Sequence, residues 1–525
     1  MSRRTRTAPR WTMMACLLAG IAVTAALALP SGALAAGDQQ SVLQDDAQLL
    51  YGSGRHQFVT LEQLKSIGVG VVKISVIWSL VAPKPNARDK PNFDASNPAA
   101  YPTGAWTRYD NLVEEAHYLG LRVYFQFVPR DPRWAAAQNV ASGQSFQRAQ
   151  APNLTYFRQF VTAVGRRYNG SDQDVEGRTL PRVNEWALWN EPNWEGSLNP
   201  WHKTVKGQRV LTQPSLYRGI ANTAYKALAD TGHRNDTILV GETADFGNIP
   251  PLYFMEDVYC VGRGYRLLSG SSAQAVGCPT KPSRASFVSQ NPALFKTSGW
   301  SHHPYGFNVS PDRPSKIKTA IGLYNVGELE RALNGTFGQY HRRRQGGVGI
   351  YLTEWGYVTN PPNPAYTTTL KEQAAWLNEG DYMTFRDPYV KALAQFELQD
   401  VPTPGHQTKH EWSRSFTSGL EFSNGKPKPA LGSYRIPIWL ASPRHGSSVP
   451  IWGQLRAANH STTQVGQIQF RAHGSSTWKT VKTVRTTSVQ GFVSTQVQLS
   501  SAGSVRLSWT DSTNHTYSSR TVSVS

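Results

Sequence analysis

Residues 183–193 read VNEWALWNEPN, and residues 348–357 read VGIYLTEWGY. Each is an apolar, strand-like run that ends on a carboxylate, Glu191 in the first and Glu354 in the second. Burying a charge is costly unless the charge is used or paired. Both runs therefore ask for a fold whose strand ends make a chemical face. Working outward, further apolar runs lie at 48–51, 69–78, 121–128, 237–241, 299–303 and 393–398, which with 183–189 and 348–353 makes eight. Amphipathic segments at 61–67, 109–119, 154–168, 215–229 and 326–333 fall between several of them. Strands alternating with helices imply a parallel sheet, and eight such units predict an α/β fold of the (β/α)8 TIM barrel type. Runs such as VGVVKISVIW (69–78) lack polar alternation, as strands buried on both faces should. A doubly wound open sheet is the rival, and no Gly-rich phosphate fingerprint follows the first strand to support it.

The segment 246–291 reads as long and helix-poor and holds Cys260 and Cys278; it is expected to be a lid or rim insertion after strand 5. Residues 133–151 and 191–213 read as further long loops after strands 3 and 4. The stretch SNGKPKPALGSYRIP (423–437) marks a boundary. Beyond it GQIQFRAH, STWKTVKTVRT, GFVSTQVQLS, SVRLSWT and SRTVSVS alternate with period two between Gly/Ser/Asn turns. They predict a small all-β antiparallel sandwich. The expected organisation is a signal peptide over 1–35, a barrel over 36–435 and a sandwich over 436–525.

Arg3, Arg4, Arg6 and Arg10 precede an apolar run, and Ala33-Leu34-Ala35 follows as a cleavage site. This is the pattern of a secretory signal peptide and implies a secreted or cell-surface protein; Arg3-Arg4 hints at twin-arginine export. No later stretch is long and apolar enough to span a bilayer. Cys260 and Cys278 are then expected to pair in an oxidising compartment, or else to stand as two buried thiols. The chain has 525 residues, 16 Trp and a net charge of +19, about +15 without the signal arginines. Residues 431–525 carry nine Lys/Arg and one acid, Asp511. That surface suits a polyanion such as an anionic cell-wall polymer. It shows no aromatic-interleaved basic motif of a nucleic-acid module, so no nucleic acid is expected. A plain structural prop against the barrel is the competing reading.

Two glutamates at opposed strand ends of a barrel suit cleavage of a glycosidic bond by double displacement. One carboxyl donates a proton, the other attacks, and retention places them about 5–5.5 Å apart. WNEP on one strand and TEWG on a later one resemble glycoside hydrolase clan A, the retaining barrel glycosidases. The pattern is most similar to family 39 and its exopolysaccharide-cleaving relatives, with family 5 next. The likeness covers about residues 45–430 and leaves out the sandwich. It implies Glu191 as acid/base, Glu354 as nucleophile and Asn190 as a ligand of the sugar 2-OH. It implies from SHHPYG (301–306) that His303 and Tyr305 belong to the site, with Tyr305 holding the nucleophile. It implies a polysaccharide or oligosaccharide substrate and no cofactor.

One departure stands out. The clan's strand-2 Arg corresponds here to Lys73, which brings charge without a bidentate fork. A strand-end lysine reaching solvent is the alternative. Adjacent His302 and His303 point to opposite faces of a strand, which argues against a metal site. Trp78, Trp134, Trp194, Trp201, Trp355 and Trp412 fall near strand ends as stacking candidates, Trp78 and Trp355 foremost. Gln399 and Asp400 are candidates for lining the subsite. Glu195 and Glu242 read as solvated or loop acids. The functional alternative to a glycosidase is a carbohydrate- or wall-binding protein without turnover.

Overall fold

The structure is a computed structural model, and it describes residues 37–137, 149–402, 408–413, 415–458 and 461–525. Residues 1–35, expected to be a signal peptide, lie outside the described residues. Strands β1 (Gln40–Gln44), β2 (Val71–Val76), β3 (Arg122–Phe127), β4 (Glu185–Ala187), β5 (Thr237–Ala244), β6 (Gly299–His303), β7 (Gly349–Trp355) and β8 (Val390–Phe396) close into a barrel. All pairings are parallel, and β1 pairs with both β2 and β8. After the successive strands come α1 (Gly54–Ser66), α2 (Thr107–Tyr118), α3 (Leu154–Arg167), α4 (Gln213–Asp230), α5 (Pro251–Val258), α6 (Val326–Gln339), α7 (Leu370–Phe385) and α8 (Pro429–Arg435).

Strand parity sorts the side chains into two cores. Val42, Val71, Tyr124, Ala187, Leu239, Ala392 and Ala394 fill the lumen. Val72, Ile74, Phe125, Trp186, Ile238, Trp300 and Leu352 pack outward against the helices. That double burial is why the strand runs carry no polar alternation. It also fixes Lys73: two residues after inward Val71, it points into the lumen.

The first strand differs from expectation. Residues 46–50 form a one-turn helix, because the Asp45 carboxylate caps it by accepting the Gln48 amide at 3.0 Å. The strand is QSVLQ, Gln40–Gln44, just before that helix, and its polar ends hide it. The 246–291 segment differs too. It contains α5 and two short helices, Gly270–Ala275 and Arg284–Gln290. Cys260 and Cys278 form a disulfide with Cα atoms 5.7 Å apart. Arg218 of α4 donates to the Asp257 and Val258 carbonyls, and the Tyr340 hydroxyl to that of Tyr259. These bonds seat the crosslinked loop in the outer helical layer, so it is not a lid over the strand ends. Opening the 18-residue loop with Cys260→Ser/Cys278→Ser is expected to cost about 3 kcal/mol, read by chemical denaturation, with KM unchanged.

Beyond α8 two antiparallel sheets face each other. One holds β9 (Ile438–Leu440), β10 (Ser448–Gln454) and β13 (Phe492–Gln498). The other holds β11 (Gln464–Ala472), β12 (Lys479–Thr486), β14 (Gly503–Thr510), β15 (Thr516–Ser518) and β16 (Val522–Val524). Ile438, Ile451, Ile468, Val484, Val505 and Leu507 form their shared core. The sandwich is tied to α7: Arg456 reaches Asp381 at 2.6 Å, and Trp452 packs on Tyr382 and Phe385.

Candidate active site

The carboxyl ends of the barrel strands bring together the residues that the sequence pointed to. Glu191 follows β4 in a left-handed conformation, with φ +45°, and its amide donates to the Glu242 carbonyl at 2.9 Å. Such a conformation costs a non-glycine residue roughly 1–2 kcal/mol and is kept where it aims a side chain. Glu354 lies at the end of β7. One oxygen of each carboxylate and a ring nitrogen of His303 lie within 4.8 Å of one another. The two acids thus lie close together, and each side chain keeps some exposure, 18 % for Glu191 and 10 % for Glu354.

His303 stands between them. Its Nδ1 is 2.9 Å from Glu191 Oε1 and 3.5 Å from Glu354 Oε2, and its Nε2 is 2.8 Å from Glu242 Oε2. Lys73 is fully buried and donates to Glu354 Oε1 at 3.1 Å, to Glu242 Oε2 at 2.9 Å and to the Thr353 carbonyl. The alternative of a lysine reaching solvent is thereby excluded. The Tyr305 hydroxyl lies 3.3 Å from Glu354 Oε2. Asn190 is positioned by Gln126, whose Nε2 donates to its Oδ1 at 2.7 Å and also to Glu242 at 2.8 Å.

Glu242 is the correction of greatest consequence. It is neither solvated nor a loop acid: it is 1 % exposed and accepts from Lys73, Gln126, His303 and the Tyr124 hydroxyl. The pairing of β5 with β6 slips between Val240 and Thr243, and Gly241 and Glu242 there take φ of +111° and +48°. An extra residue in a strand re-aims the side chains after it. Leu239 points inward, so Glu242 would point outward on an unbroken strand; the bulge turns it in. A second slip, where β7 advances from Leu352 to Trp355 while β8 advances only from Leu393 to Gln395, does the same for Glu354.

The charges balance through these contacts. Burial opposes the charge on His303, but the Glu354 charge and the bonds to Glu191 and Glu242 more than offset it, and its pKa is pushed up to about 10. Burial likewise opposes Lys73, and Glu242 and Glu354 overcome it to raise its pKa. Glu242 is itself held well below the usual carboxylate range: burial works against its ionisation, and Lys73 and His303 override it. Burial, then the Glu354 charge, pushes the Tyr305 hydroxyl well above its ordinary value, so it stays a donor.

Glu191, His303 and Glu354 also have the donor types and spacing of a three-ligand cation site. The fit is poor. A ring nitrogen binds a metal only when unprotonated, and here carboxylates on both ring edges keep His303 protonated. His302 binds elsewhere, to Thr243 and the Ile321 carbonyl, and burial lowers its pKa to about 4.

Several stacking candidates are packed away. Trp78 is 1 % exposed and stacks on Phe160 at 4.8 Å, with Trp134 edge-on at 5.4 Å. Both belong to the outer core, because Trp78 begins a short helix that turns the chain off the barrel rim. Trp78→Ala is expected to destabilise by about 3–5 kcal/mol in denaturant titration while leaving KM unchanged; a KM shift without a stability loss would contradict the packing role. Trp355 is 2 % exposed against Tyr357, since the bulge that turns Glu354 inward turns its neighbour outward. Gln399 is drawn off to the Ser423 carbonyl, and Asp400 is buried on Lys428 at 2.7 Å, so neither lines the opening. Trp201 is half-buried under Arg209, in the hairpin formed by His202–Val205 and Gln208–Leu211. Trp412, also half-buried, lies outside the lining.

The opening is a cleft of about 590 Å³ lined by Glu191, Trp194, Glu195 and Gly196 after β4, and by Ala244, Asp245 and Phe246 after β5. Tyr305, Phe307, Tyr366, Ser413 and Phe416 complete it. Trp194 is the one stacking candidate it contains, 42 % exposed. Asp245 and the Phe246–Phe307–Tyr366 rings had no motif to announce them. Asp245 and Phe246 had only position as a signal, one and two residues past the end of β5, and Phe307 and Tyr366 lie deeper in the loops after β6 and β7.

No family model matches the sequence, and a search of the curated proteins finds no match. Among solved structures the chain is similar to a family 39 glycoside hydrolase from the gut symbiont Bacteroides cellulosilyticus WH2. Identity is 14 % and the TM-score 0.48, over 89 % of this chain and 80 % of that one. It is similar to a glucosidase from Croceicoccus marinus, at 13 % identity and a TM-score of 0.45, over 88 % and 91 %. It is also similar to β-glucuronidase 2 of Bacteroides uniformis, at 10 % identity and a TM-score of 0.43, over 93 % of this chain but only 46 % of that longer one. At these identities the likeness is one of chain course.

Proposed function

We propose that the protein is an exported retaining glycoside hydrolase that cleaves a polysaccharide or oligosaccharide by double displacement. The observation that carries this reading is the pair of glutamates gathered around His303, with carboxylate oxygens within 4.8 Å. That spacing suits direct attack and leaves little room for the intervening water an inverting enzyme needs.

In this reading Glu354, held in place by Lys73 and Tyr305, attacks the anomeric carbon and forms a glycosyl ester. Glu191 passes its proton to the departing oxygen. With the aglycone gone, Glu191 takes a proton from water, whose oxygen displaces Glu354. Asn190, fixed by Gln126, holds the sugar 2-OH, a contact that tightens in the transition state. His303 reaches both acids and steadies the negative charge that moves between them.

The test is the stereochemistry of the first product, followed by proton NMR before mutarotation. The anomer with the substrate's own configuration should appear first. An inverted first product would sink double displacement, and no turnover on a broad glycan panel would sink the enzyme. Export is proposed from the N-terminal signal pattern. For the sandwich, the Arg456–Asp381 tie to α7 favours a brace over a wall-polymer anchor.

A further inference from the structure

Resting on that reading, we infer that the cleft takes a sugar bearing a protonated amine, and discriminates against sugars bearing carboxylate or sulfate. The lining supplies three carboxylates, Glu191, Glu195 and Asp245. Among its described residues there is no lysine, arginine or histidine. The two cations of the site, Lys73 and His303, are fully buried and committed to Glu242, Glu354 and Glu191. Beside Glu191 and Glu195 an anionic sugar would meet like-charged groups with no opposing charge among the described lining residues.

Asp245 points more sharply. It is 2 % exposed and lines the cleft. Its Oδ1 accepts the Phe246 amide at 3.0 Å, while its buried Oδ2 has no hydrogen-bond partner. A buried acceptor left unmade is costly, and a ligand donor that reaches it recovers that cost. Burial, and then the Glu191 charge, push the Asp245 pKa well above the ordinary range. A sugar hydroxyl brings a donor but no charge. An ammonium brings donors and the opposing charge, so it satisfies Oδ2 and stabilises the ionised form together.

The remaining lining suits the same ligand. Phe246, Phe307 and Tyr366 form a run of rings with successive centroids 6.0 Å apart, and Phe246 is well exposed. Such a surface takes the C–H face of a pyranose and attracts a cation beside it. Trp194 is held in place by the absence of a side chain at Gly196, where an added Cβ would lie 2.5 Å from the indole.

The test is calorimetric titration of three tetramers into the full-length Glu354→Gln protein: β-1,4-glucosamine, β-1,4-glucose and galacturonate. At about 0.15 M salt the repulsion of a polyamine by the basic surface elsewhere is screened beyond about 8 Å. The glucosamine tetramer should bind about tenfold or more tighter than the glucose tetramer, and the galacturonate tetramer weakest. In the Asp245→Asn/Glu354→Gln protein the amine preference should vanish while glucose binding persists. Equal or tighter binding of galacturonate, no binding of the amine, or a preference that survives Asp245→Asn would overturn the inference. Binding is read without turnover. A failure here therefore leaves wild-type hydrolysis standing, and a failure of hydrolysis leaves this result standing.

Discussion

Glu354→Ala is expected to abolish turnover, lowering kcat by about four orders of magnitude or more, because the covalent step has no other nucleophile. Lost activity alone would not single out a nucleophile, since many site residues share that fate. Chemical rescue does. With the carboxylate removed, a small anion such as azide fits the space it leaves and attacks the same face of the sugar. From a β-aryl glycoside the product is then the α-glycosyl azide, because one displacement inverts where two retain. The acid/base variant behaves differently. In Glu191→Ala the nucleophile survives, so azide captures the glycosyl ester and gives the β-azide, and substrates with acidic leaving groups lose little in the first step. The two variants should therefore yield opposite azide anomers. The same anomer from both, or kcat within about tenfold of wild type for Glu354→Ala, would remove Glu354 as nucleophile.

The barrel was legible because each strand run is buried on both faces. VGVVKISVIW needs a parallel sheet with helices outside, and its parity alone places Lys73 in the lumen beside Val71. Glu191 and Glu354 were legible because a carboxylate at the end of an apolar run has no packing use. What parity could not show were the two bulges. Glu242 looks outward-facing when counted from Leu239, and Trp355 looks inward-facing when counted from Tyr351. One extra residue in each strand reverses both, and a bulge leaves little trace in sequence beyond Gly241. The aromatic candidates failed for a related reason. A tryptophan near a strand end fills the barrel's outer core as readily as it faces a sugar, and Trp78, Trp134 and Trp355 do the former.

Glu242→Gln is expected to lower kcat by about 100-fold or more, the scale of loss when reacting groups shift by an ångström, although Glu242 is not placed to touch substrate. It joins three arms of the site: Lys73 toward Glu354, His303 toward Glu191, and Gln126 toward Asn190. Glutamine keeps the shape but removes the charge that opposes two buried cations. His303 must then lean on Glu191 and Glu354, which draws both carboxylates off line. The pH signature separates this from simple packing. The His303 pKa of about 10 lies above its ordinary 6.5. Protonation of His303 therefore contributes stability that is complete below about pH 6.5 and is lost as pH rises through about 10. Removing the Glu242 charge lowers that upper limit, so the alkaline unfolding midpoint of Glu242→Gln should move to lower pH. Glu242→Leu, which also removes the acceptors, should cost about 3–5 kcal/mol, because two buried cations lose the carboxylate they share. Adding Lys73→Met should recover part of that stability but none of the activity, since Glu354 then loses its lysine partner. A Glu242→Gln protein with wild-type kcat and an unmoved alkaline midpoint would reduce Glu242 to filler in the barrel lumen.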